Sequence, residues 1–200
     1  MRTPVIVCAT LLAASLLAGC GPSKPQRLLS RPPSPAQTGA RLPLDQVDAP
    51  VDLAKFDSDP CSLLTKEQAA AVVADPPNGI RASGVDQLPG FGCAWSSPPG
   101  ALWVATKPIQ GPRTLTELST SPLKKSRALE PWTETSIGGL PAVVHHQFGI
   151  TEECLVSVEV TAKQMLTFEI DGKDLPGSYW DTDRCGGVAK MAEFVLGNLR

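Results

Sequence analysis

Four cysteines constrain the fold of this chain more than any other feature. They fall into two pairs whose members are about 30 residues apart, namely Cys61, Cys93, Cys154 and Cys185. An even number of cysteines outside the cytoplasm predicts disulfides, and four cysteines allow three connectivities. We favour Cys61 with Cys93 and Cys154 with Cys185, because each bridge then closes a loop inside one half of the domain. Such a loop is worth roughly 3 to 4 kcal/mol per bridge. The competing zinc site lacks the short C-x2-C spacing of structural zinc motifs.

The N-terminal segment predicts the compartment in which these cysteines lie. Arg2 precedes a run of apolar or small residues from Val5 to Leu17, and the run ends in the lipobox Leu17-Ala18-Gly19-Cys20. The run is shorter than the roughly 20 residues of a membrane-spanning helix. Residues 1–19 are therefore predicted to be a lipoprotein signal peptide, and Cys20 the lipidated first residue of the mature chain. The alternative is an ordinary signal peptide followed by an incidental cysteine.

A proline-rich segment follows the lipobox. Residues 20–58 contain few large apolar side chains and so cannot bury enough surface to offset their ordering entropy. We expect a tether that carries the domain on the extracytoplasmic face of the cell membrane. Residues 59–200 are enough for a single globular domain.

The distribution of charged residues indicates which kinds of partner the chain could bind. Basic residues come first in the tether, where they could add to the attraction of a lipid anchor for anionic lipid; an ordinary solvated linker is the alternative. These residues are Lys24, Arg27, Arg31 and Arg41. The domain is mildly acidic and has no continuous basic stripe, which disfavours nucleic-acid binding.

Local patterns predict the elements of the domain. Thr65 and Gln68 have the spacing of a capping box, so a helix begins there and ends before 75–77. Strands are expected at 80–86, 91–96 and 102–107, and alternation after 138–139 predicts further strands that include a hairpin turning at 162–164. A short helix followed by irregular chain is expected within 111–132, and a C-terminal helix after 181–183. The fold class is therefore α+β, an antiparallel sheet with N- and C-terminal helices packed on one face and two disulfides.

Several of these segments resemble an actinobacterial lipoprotein family known as domain of unknown function 3558. The resemblance lies in Pro60-Cys61-Ser62-Leu63-Leu64-Thr65, in Cys93-Ala94-Trp95, in the strand cysteine Cys154 and in the helix-start cysteine Cys185. It covers essentially the whole domain. It implies the membrane location, the cysteine pairing and a Gram-positive envelope, and it supplies no activity.

Catalytic motifs are weak in this sequence. His145 and His146 are the only histidines, and neighbours on a strand point to opposite faces, so they cannot easily share a metal. We expect His146 to be a buried or half-buried structural residue. A G-x-S-x-G elbow is missing, and the S-x-x-K match Ser121–Lys124 lacks its companion motifs. A disulfide partner would remove Cys61 as a nucleophile.

Two surface features suggest ligands. A calcium site could use an acidic loop, although the D-x-D-x-D-G order is missing; its members are Asp171, Asp174, Asp181 and Asp183. Among the four tryptophans, Trp95 is expected in the core, while Tyr179 and Trp180 are candidate ligand contacts.

These observations predict a non-enzymatic, lipid-anchored domain that binds a protein, peptide or cell-envelope ligand, with no cofactor. The alternatives are a small envelope hydrolase that uses His145 or His146, and an accessory subunit of a membrane sensor or transporter. Ligand, binding face and oligomeric state are left open.

Overall fold

The strands of the computed structural model form one antiparallel sheet. The structure describes residues 51–73, 80–87, 90–97, 101–147, 150–171 and 183–200. The predicted signal peptide, Cys20 and the tether as far as Pro50 lie outside these ranges. Within them the sheet has seven strands: β1 (Arg81–Gln87), β2 (Gly90–Ser97), β3 (Ala101–Pro108), β4 (Thr133–Ile137), β5 (Leu140–Gln147), β6 (Ile150–Thr161) and β7 (Gln164–Asp171). The helices are α1 (Ala54–Ser58), α2 (Lys66–Val73), α3 (Leu115–Thr120), α4 (Pro122–Lys125) and α5 (Arg184–Asn198), with a 3-10 turn at Pro60–Leu63.

The strand order joins the two halves of the chain in the middle of the sheet. The order is β1-β2-β3-β7-β6-β5-β4, so β3 pairs with β7 although they are distant in sequence. Val104 lies opposite Glu169 at the centre of this pairing. The hairpin of β6 and β7 was predicted, whereas β4 was not, because Thr133–Ile137 shows no apolar alternation.

Helices α2 and α5 cover one face of the sheet. The predicted capping box of α2 is present, since Gln68 N–H donates to Thr65 Oγ1 (3.2 Å) and Thr65 N–H donates to Gln68 Oε1 (3.0 Å). Asn198 at the end of α5 donates its side-chain amide to the carbonyl of Leu63 (2.7 Å) and to Gln68 Oε1 (2.8 Å). These bonds hold α2 and α5 together on the same face, as predicted for the N- and C-terminal helices.

The main core lies between these helices and the sheet. It contains the predicted stripe of α5 and the inward face of the central strands, including Trp95 and Trp103. Phe91, Cys93 and Trp95 share this face, as their alternation on β2 predicted.

Residues before the predicted domain boundary belong to this core. Phe56 on α1 is fully buried and meets the edge of Phe91, and Val51 N–H donates to the carbonyl of Val160 (3.1 Å). Asp57 forms an ion pair with Lys107. Residues 51–58 therefore pack on the domain ahead of its predicted start at Asp59, because isolated apolar side chains in a polar stretch are enough to dock them.

Two disulfides connect helical segments to the sheet. Cys61 in the 3-10 turn is bonded to Cys93 on β2, and Cys154 on β6 is bonded to Cys185 in the first turn of α5; their Cα atoms are 5.1 and 5.3 Å apart. This is the sequential pairing favoured from the spacing. Each bridge ties one helical segment to the strand that it packs against.

A second, smaller cluster covers part of the opposite face of the sheet. Helix α3 and the residues that follow α4, both in the connection from β3 to β4, supply its cover, and β5 and β7 supply its base. Its members are Leu115, Leu118, Leu129, Val143 and Met165, with Trp132 packed against them. The sheet is thus covered on both faces, one extensively and one in part. Among the described residues, no helix is long and apolar enough to span a membrane.

Candidate functional site

The two histidines lie on opposite faces of β5, as predicted. His145 points with Val143 into the second cluster and is only 4% exposed. His146 points with Val144 to the other face and is half-buried, as expected. The deeply buried histidine is therefore His145.

His145 belongs to a chain of polar and aromatic contacts, here called the polar column: Lys124, Trp132, His145, Ser157 and Thr167. His145 Nε2 lies 3.1 Å from Ser157 Oγ, which lies 3.1 Å from Thr167 Oγ1. On the outer side Trp132 stacks on His145, with ring centroids 6.0 Å apart. Lys124 Nζ lies 4.7 Å from the Trp132 ring centroid. The column runs from the surface to the middle of the sheet.

Burial sets the protonation state of the His145 imidazole within the polar column. Desolvation lowers the pKa of His145 to about 4, although the backbone carbonyl of His146 acts in the opposite direction. The imidazole is therefore neutral at pH 7. We assign its proton to Nδ1, which faces that carbonyl at 3.5 Å, so that Nε2 accepts from the Ser157 hydroxyl.

A serine beside a neutral imidazole is also the arrangement of a nucleophile and its base. Here, however, Ser157 is 1% exposed, and its hydroxyl is hydrogen-bonded between His145 and Thr167. A substrate would reach the hydroxyl only if the side chains around it moved away. The geometry therefore favours a hydrogen-bond chain that links β5, β6 and β7.

A buried carboxylate lies beside the column on β6. Glu159 is 3% exposed, and its Oε2 accepts a hydrogen bond from Leu115 N–H at 2.6 Å. Burial raises the pKa of Glu159, and the Leu115 hydrogen bond opposes that shift. Together with Thr114, which accepts from Glu117 N–H, Glu159 caps the start of α3. Sequence reasoning missed this role, and the only signal for it was a glutamate within an apolar strand.

The S-x-x-K match has a structural explanation. Ser121 is the N-cap of α4, and its hydroxyl accepts from Lys124 N–H at 3.2 Å. Lys124 Nζ instead pairs with Glu130 at 2.7 Å. The spacing is thus that of a helix cap rather than of a nucleophile and its lysine.

Beyond α3 and α4 the same face carries a strip of half-buried side chains, here called the outer strip: Leu102, Val104, Thr106, Thr167 and Glu169. On the other face of β3, Trp103 and Ala105 are fully buried. The outer strip adjoins the polar column through Thr167. It combines apolar side chains, two hydroxyls and the carboxylate of Glu169, a mixture of apolar and polar groups that binding surfaces commonly have.

The remaining candidates are distributed as follows. Tyr179, Trp180, Asp174 and Asp181 lie outside the described residues, as does the side chain of Asp171. Asp183 caps α5 by accepting from Gly186 N–H at 2.9 Å, as predicted. Cys61 is bonded to Cys93 and so offers no thiolate.

The fold and bridges define a disulfide-linked α+β domain built on one antiparallel sheet. The chain belongs to the family described as "Protein of unknown function (DUF3558)", whose model matches residues 15–198. No curated protein and no solved structure matches the chain.

Proposed function

We propose that this protein is a lipid-anchored, extracytoplasmic domain that binds a protein, peptide or cell-envelope ligand without changing it chemically. The observation that carries the proposal is the outer strip, a half-buried surface on a sheet whose other face is occupied by its own helices. Apolar and hydroxyl side chains of this kind gain from being covered by a partner.

The anchor rests on the lipobox that ends at Cys20. Disulfides form and persist outside the reducing cytoplasm, so the bridges at Cys61–Cys93 and Cys154–Cys185 support export. Because the domain includes Val51, a tether of about 30 residues would separate it from the lipid, spanning roughly 30 Å as a flexible coil.

A test of the anchor is palmitate labelling of the full chain and of Cys20→Ala. We expect label in the wild-type protein, and release or an uncleaved precursor in the variant. Label that persists in Cys20→Ala would contradict lipidation at this residue.

A test of the binding face is photo-crosslinking in intact cells. A photoreactive residue replaces Val104 in the outer strip and, as the matched control, exposed Lys66 on the helical side. We expect a discrete adduct from position 104 alone, and its loss when Thr106→Lys is added. Identical adducts from both positions, or none from position 104, would contradict the proposal.

The rival function is a small envelope hydrolase that uses His145 or His146. Activity profiling against cell-wall and ester substrates distinguishes the two. Turnover that is lost in His145→Ala or His146→Ala would replace our proposal with the hydrolase, and co-purification with a multi-span protein would favour an accessory subunit.

A further inference from the structure

The Cys154–Cys185 bridge lies beside a histidine. The two Sγ atoms and a ring nitrogen of His146 all lie within 4.8 Å of one another. We propose that reduction of this bridge creates a zinc site whose protein ligands are the thiolates of Cys154 and Cys185 and the imidazole of His146.

Three separate elements bring these ligands together. Cys154 lies on β6, Cys185 lies in the first turn of α5, and His146 lies near the end of β5. The pairing of β5 with β6 is regular up to His145 and shifts before Gln147. A bulge at this point re-aims a side chain, and the residue at the shift is His146.

The distances suit a tetrahedral metal. Zinc binds thiolate sulfur at about 2.3 Å and imidazole nitrogen at about 2.0 to 2.1 Å, which places neighbouring ligand atoms roughly 3.4 to 3.8 Å apart. The observed ligand atoms lie within 4.8 Å of one another. Once the bond between the sulfurs is cleaved, they would separate to about 3.8 Å and the imidazole would move about 1 Å toward them, a small adjustment for side chains. Two soft sulfurs and one imidazole favour zinc over calcium or magnesium.

Two of the three ligands are partly exposed, which gives a metal ion access to the site. Cys154 is 1% exposed, whereas Cys185 and His146 are half-buried. A fourth position on the open side is available to water, as in zinc sites with three protein ligands.

The chemistry needs a two-electron reductant, which a dithiol supplies in the following way. A thiolate of the reductant attacks Sγ of the more exposed Cys185, and Cys154 leaves as a thiolate. The second thiol of the reductant then displaces Cys185, giving a protein dithiol and an oxidised reductant. Zinc binding then displaces the two thiol protons, because thiolates are the ligands. The metal replaces the covalent link between β6 and α5.

The Cys61–Cys93 disulfide serves as an internal control for the proposed metal site. Among the residues that the structure describes, the group at His146 is the one set of three potential metal ligands that converge in this way. Cys61 and Cys93 have no third ligand of this kind within that set. Reduction at Cys61–Cys93 therefore gives a dithiol without the imidazole.

The test uses the full mature lipoprotein in detergent, reduced with a phosphine because dithiols compete for metal. Cobalt(II) is titrated while thiolate-to-metal charge-transfer and tetrahedral ligand-field absorption are recorded. We expect one cobalt per chain after reduction, none before it, and displacement by zinc. The signal is expected in Cys61→Ser/Cys93→Ser and absent in Cys154→Ser/Cys185→Ser.

His146→Ala should weaken cobalt binding at least ~10-fold, whereas His145→Gln should leave it unchanged. Circular dichroism is recorded in parallel, and a reduced chain that unfolds should refold when zinc is added. The proposal is overturned by absence of the charge-transfer band in the reduced wild type, by full affinity in His146→Ala, or by a reduced chain that zinc does not refold.

Discussion

Asn198, the last residue of α5, donates its side-chain amide to the backbone carbonyl of Leu63 at 2.7 Å, across 135 residues of sequence. The second hydrogen of the same amide reaches Gln68 Oε1 at 2.8 Å. One side chain therefore joins the end of α5 to the capping box of α2, and these two helices form one packed layer.

Asn198→Ala should lower the free energy of unfolding by about 1 to 2 kcal/mol, because two hydrogen bonds are lost. Urea denaturation measures the change. Gly197→Ala is the control: its added Cβ meets open space, so it should stabilise the helix by about 0.5 to 1 kcal/mol. Equal effects of both variants would contradict the role of Asn198.

The stability should fall in acid because of His145. Its pKa is lowered from 6.5 to about 4 in the folded protein, so the unfolded chain binds the extra proton between these values. Stability from this group is fully present above about pH 6.5 and is lost as the pH falls toward 4, by an amount on the order of 3 kcal/mol. Denaturation curves from pH 7 to pH 4 measure it.

The control for this pH dependence is His145→Gln, which keeps a polar side chain beside Ser157 and does not titrate. Its stability should change much less than that of the wild type over the same interval. An unchanged slope would assign the acid sensitivity to groups other than His145. Glu159 is not one of them, because its pKa is raised by burial and its protonation therefore favours the folded state in acid.

Glu159→Leu should destabilise the domain by about 1 to 3 kcal/mol, because Leu115 N–H would lose its acceptor in a buried site. Glu159→Gln keeps an acceptor oxygen and should cost much less. Thermal unfolding compares the two variants. If Glu159→Gln were as unstable as Glu159→Leu, the capping role of this side chain would be wrong.

Phe56→Ala should lower the free energy of unfolding by about 3 to 5 kcal/mol, since the ring is fully buried. The neighbouring Lys55, which is exposed, supplies the control Lys55→Ala with a much smaller effect. Chemical denaturation of both variants tests whether the domain includes α1. A negligible effect of Phe56→Ala would place this segment in the tether, as the sequence had predicted.

Several elements could be predicted because their signals are local. The capping box of Thr65 and Gln68 marks a helix start through two side chains three residues apart, and the alternation around β6 and β7 specifies a half-buried hairpin. The sequential disulfide connectivity was favoured because each bridge then closes a short loop within one half of the domain. These features depend on residues that are close together in the sequence, so their patterns can be recognised from the sequence alone.

The candidate site depends on distant pairings and could not be predicted in the same way. His145 meets Ser157 only through the register of β5 on β6, and Trp132 stacks on His145 only because β4 pairs with β5. Edge strand β4 carries no apolar alternation, since it has little to bury. The approach of His146 to Cys185 likewise needs the position of α5.

The pairing of β3 with β7 has a mechanical consequence. Each sulfur bridge closes a loop on its own side of this pair, and neither bridge crosses it. Tension between the two halves would therefore meet no disulfide, but only non-covalent contacts: the hydrogen bonds of that ladder, those of Asn198 and Val51 across the halves, and the side chains packed between them. The disulfides stabilise each half separately, and under mechanical force the two halves should separate between β3 and β7.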